Sequence, residues 1–314
     1  MGIIIAVDIG GTQLRVASFE EESTTPDKVH RIPTHAVNEN VFDRLTAAID
    51  FIWPQAPVSA LSVACPGPLD PSLGIIHSTP NIPGWNKFPL KAKLETRFHI
   101  PVFLENDANL AALGEWSYGI GRGYDDLIYF TISTGIGGGV ISRDRLLLGA
   151  KGLAAELGHI TVLPDGPLCS CGQRGHLEAL ASGPGIANYV NERLQEGEGS
   201  ILKPGVHLSA RQVADAAHTG DRLAIQAFER AGHFLGRALA DFLHIFNPSI
   251  VIFGGGVSQS SELLFEPMKA SVEKHIMDPG YIENLAITTA RLGDDAGLLG
   301  ALAFAQMKLS KPKS

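Results

Sequence analysis

Residues 3–19 read IIIAVDIGGTQLRVASF, and this stretch determines the architecture expected for the first half of the chain. The run from Ile3 to Asp8 is apolar up to its final acid, which predicts a buried strand that ends in a carboxylate. Gly10, Gly11 and Thr12 form a turn, and a second strand is predicted from Leu14 to Phe19. The order strand, turn, strand predicts a β-hairpin rather than a phosphate loop between a strand and a helix.

Outward from this hairpin, apolar strands alternate with helical periodicities along the chain. Further strands are predicted at residues 58–64, 102–104, 127–131, 140–142, 250–253 and 286–289. Helices are predicted at residues 41–53, 90–98, 184–194, 209–217, 222–246, 263–275 and 296–307, with another opening at Asp107, and residues 66–89 are predicted as a loop. This alternation indicates an α/β fold. A second hairpin around TGIGGG, residues 134–139, suggests that the fold is duplicated.

Composition excludes several classes of protein. The chain has 314 residues, of which 45% are hydrophobic and 18% charged, enough for two domains of about 150 residues each. A formal net charge of −8 and no basic run argue against nucleic-acid binding, which needs concentrated positive charge. No stretch approaches the ~20 apolar residues of a membrane-spanning helix, and the N-terminal apolar run lacks a basic flank and a cleavage site. We therefore expect a cytoplasmic protein without a membrane partner.

Three glycine-rich turns each follow an apolar strand: DIGGT at residues 8–12, STGIGGG at 133–139 and FGGGV at 253–257. Glycine allows positive φ and lets backbone N–H groups approach phosphate oxygens. Any one of these turns could need glycine for its geometry alone, but three at strand ends favour a nucleotide. The chain has no G-x-x-x-x-G-K-[ST] motif and no G-x-G-x-x-G motif that opens a helix, so we expect phosphates to be held between two hairpin turns.

Residues 153–178, LAAELGHITVLPDGPLCSCGQRGHLE, concentrate metal-binding side chains between two glutamates. His159, Cys169, Cys171 and His176 offer four nitrogen and sulfur donors, which is the number that closes a tetrahedral zinc site. The C-x-C spacing is tighter than the usual pattern, so buried cysteines and a solvated His176 remain an alternative. The third cysteine, Cys65, stands alone in an apolar segment, and a disulfide framework is not expected.

The ordered combination of DIGGT, END at residues 105–107, STGIGGG, AELGH, CSCGQRGHLE and FGGGV resembles the ROK family of sugar kinases over nearly the whole chain. The resemblance implies an actin-like, hexokinase-like (ribonuclease H-like) duplicated α/β fold in which ATP and sugar meet in a cleft between two domains. The implied domains are residues 1–117, completed by a C-terminal helix at 297–314, and residues 118–296. The implied reaction is transfer of the γ-phosphoryl group of ATP to the 6-hydroxyl of glucose.

The same resemblance assigns roles to single residues. Asp107, which by itself could be an acid that caps a helix, matches the general base. Asp8 would act on Mg²⁺ through water. The implied sugar-binding residues are Gly67, Asn81, Asn106, Asp107, Glu156, His159 and Glu178. The implied nucleotide-binding residues are Asp8, Gly10, Gly11, Thr12, Thr134, Gly135 and Gly138 for the phosphates, with Gly255 and Gly256 for the adenosine.

Two departures from the family pattern and several alternatives remain. His176 stands where relatives carry a third cysteine, so the implied structural zinc would have two His and two Cys ligands, or the metal could be lost. Ala155 stands where many relatives carry glycine. N-acetylmannosamine or N-acetylglucosamine is the alternative substrate, because discrimination at C2 depends on pocket shape. A sugar-responsive repressor is less expected, since the first phosphate motif begins at Asp8. A homodimer or higher homo-oligomer is expected by resemblance alone.

Overall fold

The computed structural model describes residues 2–79, 82–205 and 207–310. The strands of these residues are β1 Ile3–Ile9, β2 Gln13–Glu20, β3 Lys28–Pro33, β4 Val58–Cys65, β5 Leu69–Asp70, β6 Ile75–Ile76, β7 Val102–Asn106, β8 Leu127–Ile132, β9 Ile136–Ser142, β10 Arg145–Leu146, β11 Ile250–Gly254 and β12 Ala286–Thr289. Their α-helices are α1 Val41–Ile52, α2 Leu90–Phe98, α3 Asp107–Tyr118, α4 Leu177–Ala181, α5 Gly183–Gln195, α6 Ala210–His218, α7 Arg222–Phe246, α8 Ser261–His275 and α9 Ala296–Leu309. None of these described helices is both long and apolar enough to cross a membrane.

Two five-stranded sheets have the same topology. The first sheet has the order β3-β2-β1-β4-β7, and the second has the order β10-β9-β8-β11-β12. In each sheet the first three strands pair antiparallel and the last two continue parallel to the central strand. The predicted duplicated α/β fold is thus confirmed.

The two sheets are covered by helices on both faces, which explains their apolar strands. Helices α1 and α2 pack on the outer face of the first sheet, and α4 to α8 pack on the outer face of the second. Helices α3 and α9 fill the layer between the sheets. Successive side chains of a strand point to opposite faces, so Ile5 and Val7 face α1, whereas Ile4 and Ala6 face the shared middle layer.

Helices α3 and α9 each pack mainly on the sheet that they do not follow in the chain. Helix α3 follows β7 of the first sheet but packs mainly on β8 and β9, while α9 follows β12 of the second sheet and packs on β1 and β4. They cross at Gly114 and Gly300. A Cβ atom on Gly114 would lie 2.5 Å from the carbonyl oxygen of Ala296, and one on Gly300 would overlap the carbonyl oxygen of Leu110. The two backbones are therefore in direct contact.

We propose the domain division expected from the sequence, with residues 1–117 and 118–296 as the two domains. The packing of α9 on β1 and β4 supports the assignment of the chain's last helix to the first domain. Residues 311–314 of the predicted segment lie outside the described residues.

The second glycine-rich turn is shorter than predicted. Strand β9 begins at Ile136, so Gly137, Gly138 and Gly139 pair with β8 instead of forming the turn. The reason is packing, because a Cβ atom on Gly139 would lie 2.5 Å from Cβ of Ala112 on α3. Gly137 and Gly139 therefore let α3 approach the sheet.

Other differences concern short or exposed elements. The sequence reading missed β3, whose side chains are half-buried or exposed, and the five-residue helix α4. It also missed the small hairpin of β5 and β6 inside the predicted loop at residues 66–89. The capping box predicted at Ser209 is confirmed, since Ser209 and Gln212 each bond to the other's backbone N–H.

We predict that Gly300→Ala lowers the free energy of unfolding by about 1–3 kcal/mol, because the added methyl group must push α9 away from α3. This loss should appear although alanine favours a helix over glycine by ~1 kcal/mol. Chemical denaturation checks it. Gly199→Ala is the control, since a Cβ atom there meets nothing within 4 Å. Equal stability of the two variants would contradict the close crossing.

Candidate active site

A cleft of about 520 Å³ opens where strands of both sheets end. Parallel strands bring their carboxyl ends to one edge of a sheet, where α/β proteins commonly bind ligands. The wall is formed by the ends of β1, β8 and β11 and by the first residues of α3 and α9. Its polar lining residues include Asp8, Arg15, Asp107, Thr131, Ser133, Ser258, Gln259 and Asp294.

Asp107 is the first residue of α3 and lies deep in this cleft. The helix is capped by its neighbour Asn106, whose Oδ1 accepts hydrogen bonds from the backbone N–H groups of Ala108 at 2.9 Å and Asn109 at 3.1 Å. Asp107 Oδ1 also accepts from the N–H of Ala108 at 2.8 Å, but Asn106 alone caps both N–H groups. Burial, with a smaller contribution from the charge of Glu156, raises the pKa of Asp107 to about 6. Such a carboxylate is a stronger base than an ordinary aspartate.

Asp8 lies near the end of β1 and faces the same cleft. Burial raises its pKa to about 7, and the negative charge of Asp107 adds to this effect. Arg15 opposes it, with Nη1 at 3.4 Å from Oδ2 of Asp8. The same Nη1 atom donates a 2.6 Å hydrogen bond to the carbonyl oxygen of Asp294. Two acids that both hold protons more tightly than usual indicate a site that favours a cation.

The sequence reading missed Arg15 and Asp294. Arg15 is the direct cross-strand partner of Asp8 in the first hairpin. Directly opposed residues of a hairpin share one face. The turn between residues 9 and 14 sets the register of the two strands, and this register places Arg15 beside Asp8. Asp294 contributes both its backbone carbonyl and its carboxylate, whose Oδ2 lies 3.5 Å from Arg15 Nη2, and no motif marks this residue in the sequence.

The predicted sugar-side residues converge on Asp107. Gly67 lies against Asn106, since a Cβ atom on Gly67 would be 3.2 Å from Asn106 Nδ2. Glu156 affects the pKa of Asp107 through its charge, and its own pKa is raised by burial. His159 Nε2 lies 4.0 Å from Glu156 Oε2. Asn81 lies outside the described residues.

Glu178 joins this group but is already hydrogen-bonded within the protein. Its Oε2 accepts from the backbone N–H of Ile136 at 3.1 Å, and its Oε1 accepts from Ser170 Oγ at 2.6 Å. A Cβ atom on Gly135 would lie 2.5 Å from Glu178 Oε2. Glu178 therefore ties the turn at residues 133–136 to the loop at residues 169–176, which carries Cys169 and Cys171.

The predicted nucleotide-binding residues lie in several places. Gly255 and Gly256 line the cleft, and Gly255 has φ of 85° with no room for a Cβ atom below the carbonyl of Ile132. Gly10, Gly11 and Thr12 are absent from the described lining, although they form the hairpin turn that follows Asp8. Gly138 lies inside β9, where a Cβ atom would be 2.5 Å from Leu157 Cγ, and its contact with phosphate stays a prediction.

A second cavity of about 640 Å³ adjoins the cleft and contains Thr134. The two cavities share Ser133, Gly256 and Gln259. The walls of the second come from α5, α6 and the 3₁₀ turn Gly256–Ser260. Together the two cavities can hold an elongated ligand that has polar and apolar parts.

The four predicted metal ligands come together in one place. One donor atom from each of His159, Cys169, Cys171 and His176 lies within 4.8 Å of all the others. Cys169 Sγ is 3.6 Å from His159 Nδ1, and Cys171 Sγ is 3.2 Å from His176 Nδ1. Two thiolates and two imidazoles suit zinc in tetrahedral coordination. His159 directs Nδ1 to this cluster while its Nε2 faces Glu156.

Comparison with known proteins gives matches along nearly the entire chain. The model of the ROK family matches residues 4–308. A glucokinase from Thermotoga maritima is 38% identical over 312 residues, 98% of each chain. An N-acetylmannosamine kinase from Shigella flexneri is 33% identical over 305 residues, covering 96% of this chain and 98% of the relative.

A solved structure adds the same relationship in three dimensions. The crystal structure of a ROK family glucokinase from Streptomyces griseus, in complex with glucose and AMPPNP, superposes with a TM-score of 0.80 at 35% identity. The match covers 98% of this chain and 100% of that one. The duplicated fold, the shared cleft and these full-length matches lead to one conclusion: this chain belongs to the ROK family.

Proposed function

We propose that this protein is an ATP-dependent glucokinase that transfers the γ-phosphoryl group of ATP to the 6-hydroxyl of glucose. The observation that carries the proposal is the placement of Asp107 and Asp8 in one cleft between the two sheets, each with a raised pKa. The similarity to glucokinases over 98% of the chain supports glucose as the sugar and ATP as the donor.

Asp107 is the proposed general base. Its carboxylate would orient the sugar hydroxyl and accept its proton as the phosphoryl group arrives. A pKa of about 6 leaves Asp107 mostly ionised at neutral pH while making it a better proton acceptor than an exposed aspartate. Asn106, Glu156, His159 and Glu178 would bind neighbouring sugar hydroxyls with directional hydrogen bonds.

Asp8 is the proposed residue that acts on the magnesium ion of the nucleotide, through water. Magnesium would neutralise charge on the phosphate oxygens. Arg15 would keep Asp8 in place and hold the turn at Asp294 against it. The glycine turn at Gly255 and Gly256 lets the backbone approach the nucleotide closely, and the adjoining second cavity offers space for its nucleoside part.

The alternative substrate is N-acetylmannosamine or N-acetylglucosamine. The 33% identity to an N-acetylmannosamine kinase keeps this alternative open, whereas the higher identity to a glucokinase favours glucose. Both choices use the same base and the same cleft, so they differ only in how the pocket treats the substituent at C2.

We predict that wild-type protein releases ADP from ATP with glucose in preference to N-acetylmannosamine, N-acetylglucosamine and fructose, measured with a coupled assay. Asp107→Asn should lower kcat with glucose by at least about 100-fold, because the amide cannot accept the proton. Asp50→Asn, which changes an exposed acid paired with Arg97, is the control and should keep full activity. Unchanged kcat in Asp107→Asn would refute its role as base.

We predict that kcat/KM for glucose falls as the pH drops through the range of about 7 to 6. Both acids have raised pKa values, so each gains its proton at a higher pH than an ordinary aspartate, and the protonated form is the inactive one. Because the two carboxylates interact, the measured values belong to the pair.

The Asp107→Asn variant provides the matching control for this profile. The pH profile of its residual activity should reflect one protonation instead of two, so the activity should decline less steeply as the pH falls. The remaining decline should shift to lower pH, because Asp107 no longer raises the pKa of Asp8 by its charge. A wild-type profile that stays flat down to pH of about 5 would contradict the proposed base.

We propose a structural zinc ion held by His159, Cys169, Cys171 and His176. The donor set and the closeness of its atoms support this choice. Zinc would stiffen the loop at residues 159–178 and fix the ring of His159, so that Nε2 is presented to the sugar.

We predict one zinc ion per chain by elemental analysis. Cys171→Ser should lose the metal and lower the melting temperature, because a hydroxyl is a poor substitute for a thiolate. Cys65→Ala is the control. Cys65 is buried in β4 and is not one of the four proposed ligands, so this variant should retain zinc. A full complement of zinc in Cys171→Ser would exclude this ligand set.

We also propose that the protein is a cytoplasmic homodimer without nucleic-acid or membrane partners. The support is the family resemblance and the acidic balance of the chain, with a net charge of −8. Light scattering coupled to size exclusion should give twice the mass of 33.4 kDa. A monomeric mass at micromolar concentration would refute the dimer.

A further inference from the structure

Glu115 is a completely buried carboxylate on α3 that the proposed mechanism does not use. Its Oε2 accepts a hydrogen bond from the backbone N–H of Ile120 at 3.0 Å, and its Oε1 accepts one from the backbone N–H of Leu292 at 2.7 Å. A buried carboxylate needs such partners, because an unpaired charge inside a protein is strongly unfavourable. Both oxygens are thus occupied by backbone groups.

The two partners of Glu115 belong to the two segments that connect the sheets. Ile120 lies between α3 and β8, where the chain passes from the first sheet to the second. Leu292 lies between β12 and α9, where the chain returns. The fit is tight, because a Cβ atom on Gly119 would overlap Glu115 Oε2. Glu115 therefore links the two segments that connect the sheets.

Leu292 leads directly into the phosphate side of the cleft. The next residues form the 3₁₀ turn Gly293–Asp295, and Gly293 and Asp294 line the cleft. Arg15 donates to the carbonyl of Asp294 at 2.6 Å while its guanidinium stays 3.4 Å from Asp8. The turn is held by Glu115 on one side and by Arg15 on the other.

We propose that Glu115 is a positioning residue for the nucleotide side of the cleft. By holding Leu292 it fixes the turn at residues 293–295, and the turn fixes Arg15 and Asp8. This inference rests on the proposed kinase function, and it assigns Glu115 to the magnesium nucleotide rather than to the sugar.

Glu105 offers a matched comparison. It is also completely buried, and its Oε1 accepts from the backbone N–H of Asn106 at 3.0 Å and from Asn109 Nδ2 at 3.1 Å. The first of these contacts holds Asn106, which belongs to the sugar side and directly precedes Asp107. Two buried glutamates that lie behind the cleft lining thus support different halves of the site.

The test compares Glu115→Gln with Glu105→Gln in steady-state kinetics. A glutamine at position 115 keeps one acceptor and turns an N–H₂ group toward the second backbone N–H, which displaces one connecting segment. We expect KM for magnesium ATP, and the magnesium concentration needed for half-maximal rate, to rise about tenfold in Glu115→Gln. KM for glucose should change less than about twofold. In Glu105→Gln the effect should fall on kcat and on KM for glucose.

Specific outcomes would overturn the proposal. If Glu115→Gln lowers the melting temperature but leaves the kinetic constants unchanged, Glu115 has a structural role only. An equal rise of both KM values, or a rise for glucose alone, would also contradict the assignment. If no hexose is phosphorylated by the wild type, the proposed function fails, whereas calorimetric titration with magnesium ADP still tests the positioning role through the same comparison.

A measurement on the unmodified protein covers the case in which Glu115→Gln does not fold. Amide hydrogen exchange of the segment at residues 290–295 should slow when magnesium ADP is added and should not respond to glucose. Slowing by glucose alone, or no response to magnesium ADP, would refute the coupling of this turn to the nucleotide.

Discussion

The close crossing of α3 and α9 is the constraint on which the rest of the structure depends. Glycines at positions 114 and 300 let the two backbones touch, and the touching helices set the separation of the two sheets. Asp107 opens one helix, and the other opens beside Asp8, where a Cβ atom on Gly297 would lie 2.8 Å from Asp8 Cγ. The crossing therefore fixes both acids relative to each other. It also directs two helix N-termini, with their positive dipole ends, into the same cleft.

This arrangement explains the electrostatics of the cleft. The burial of Asp8 and Asp107 raises the pKa of both carboxyl groups, and the charge of Asp107 raises the pKa of Asp8 further. Arg15 compensates the negative charge of Asp8 only in part, so the cleft holds an excess of negative charge near two positive helix ends. A nucleotide with its magnesium ion combines a cation for the acids with phosphates for the helix ends. A bare anion or a bare cation would satisfy only one of the two.

Much of the fold could be predicted because strands buried on both faces leave apolar runs, as in residues 3–7 and 250–253. Strand β3 was missed because its side chains lie on the edge of the sheet and carry charge. The glycines at 137–139 were assigned to a turn because their packing partners lie elsewhere in the chain: Ala108 and Ala112 of α3 face Gly137 and Gly139, and Leu157 faces Gly138. Asp107 and the four candidate metal ligands between residues 159 and 176 could be located from motifs. Arg15 and Glu115 could not, because a charged residue in a strand or helix reveals its partner only through register and tertiary contact.

The exchange of α3 and α9 between equivalent sheets has a consequence for the origin of the chain. Each sheet takes the cover of its inner face mainly from the helix that follows the other sheet. A half-length chain with this topology would leave that face bare in isolation, and two copies could cover each other by trading the helix, which is the geometry of a domain-swapped dimer. Fusion of two such copies would retain the exchanged helices inside one molecule. The present chain carries that pattern, which makes its two halves mutually dependent for folding.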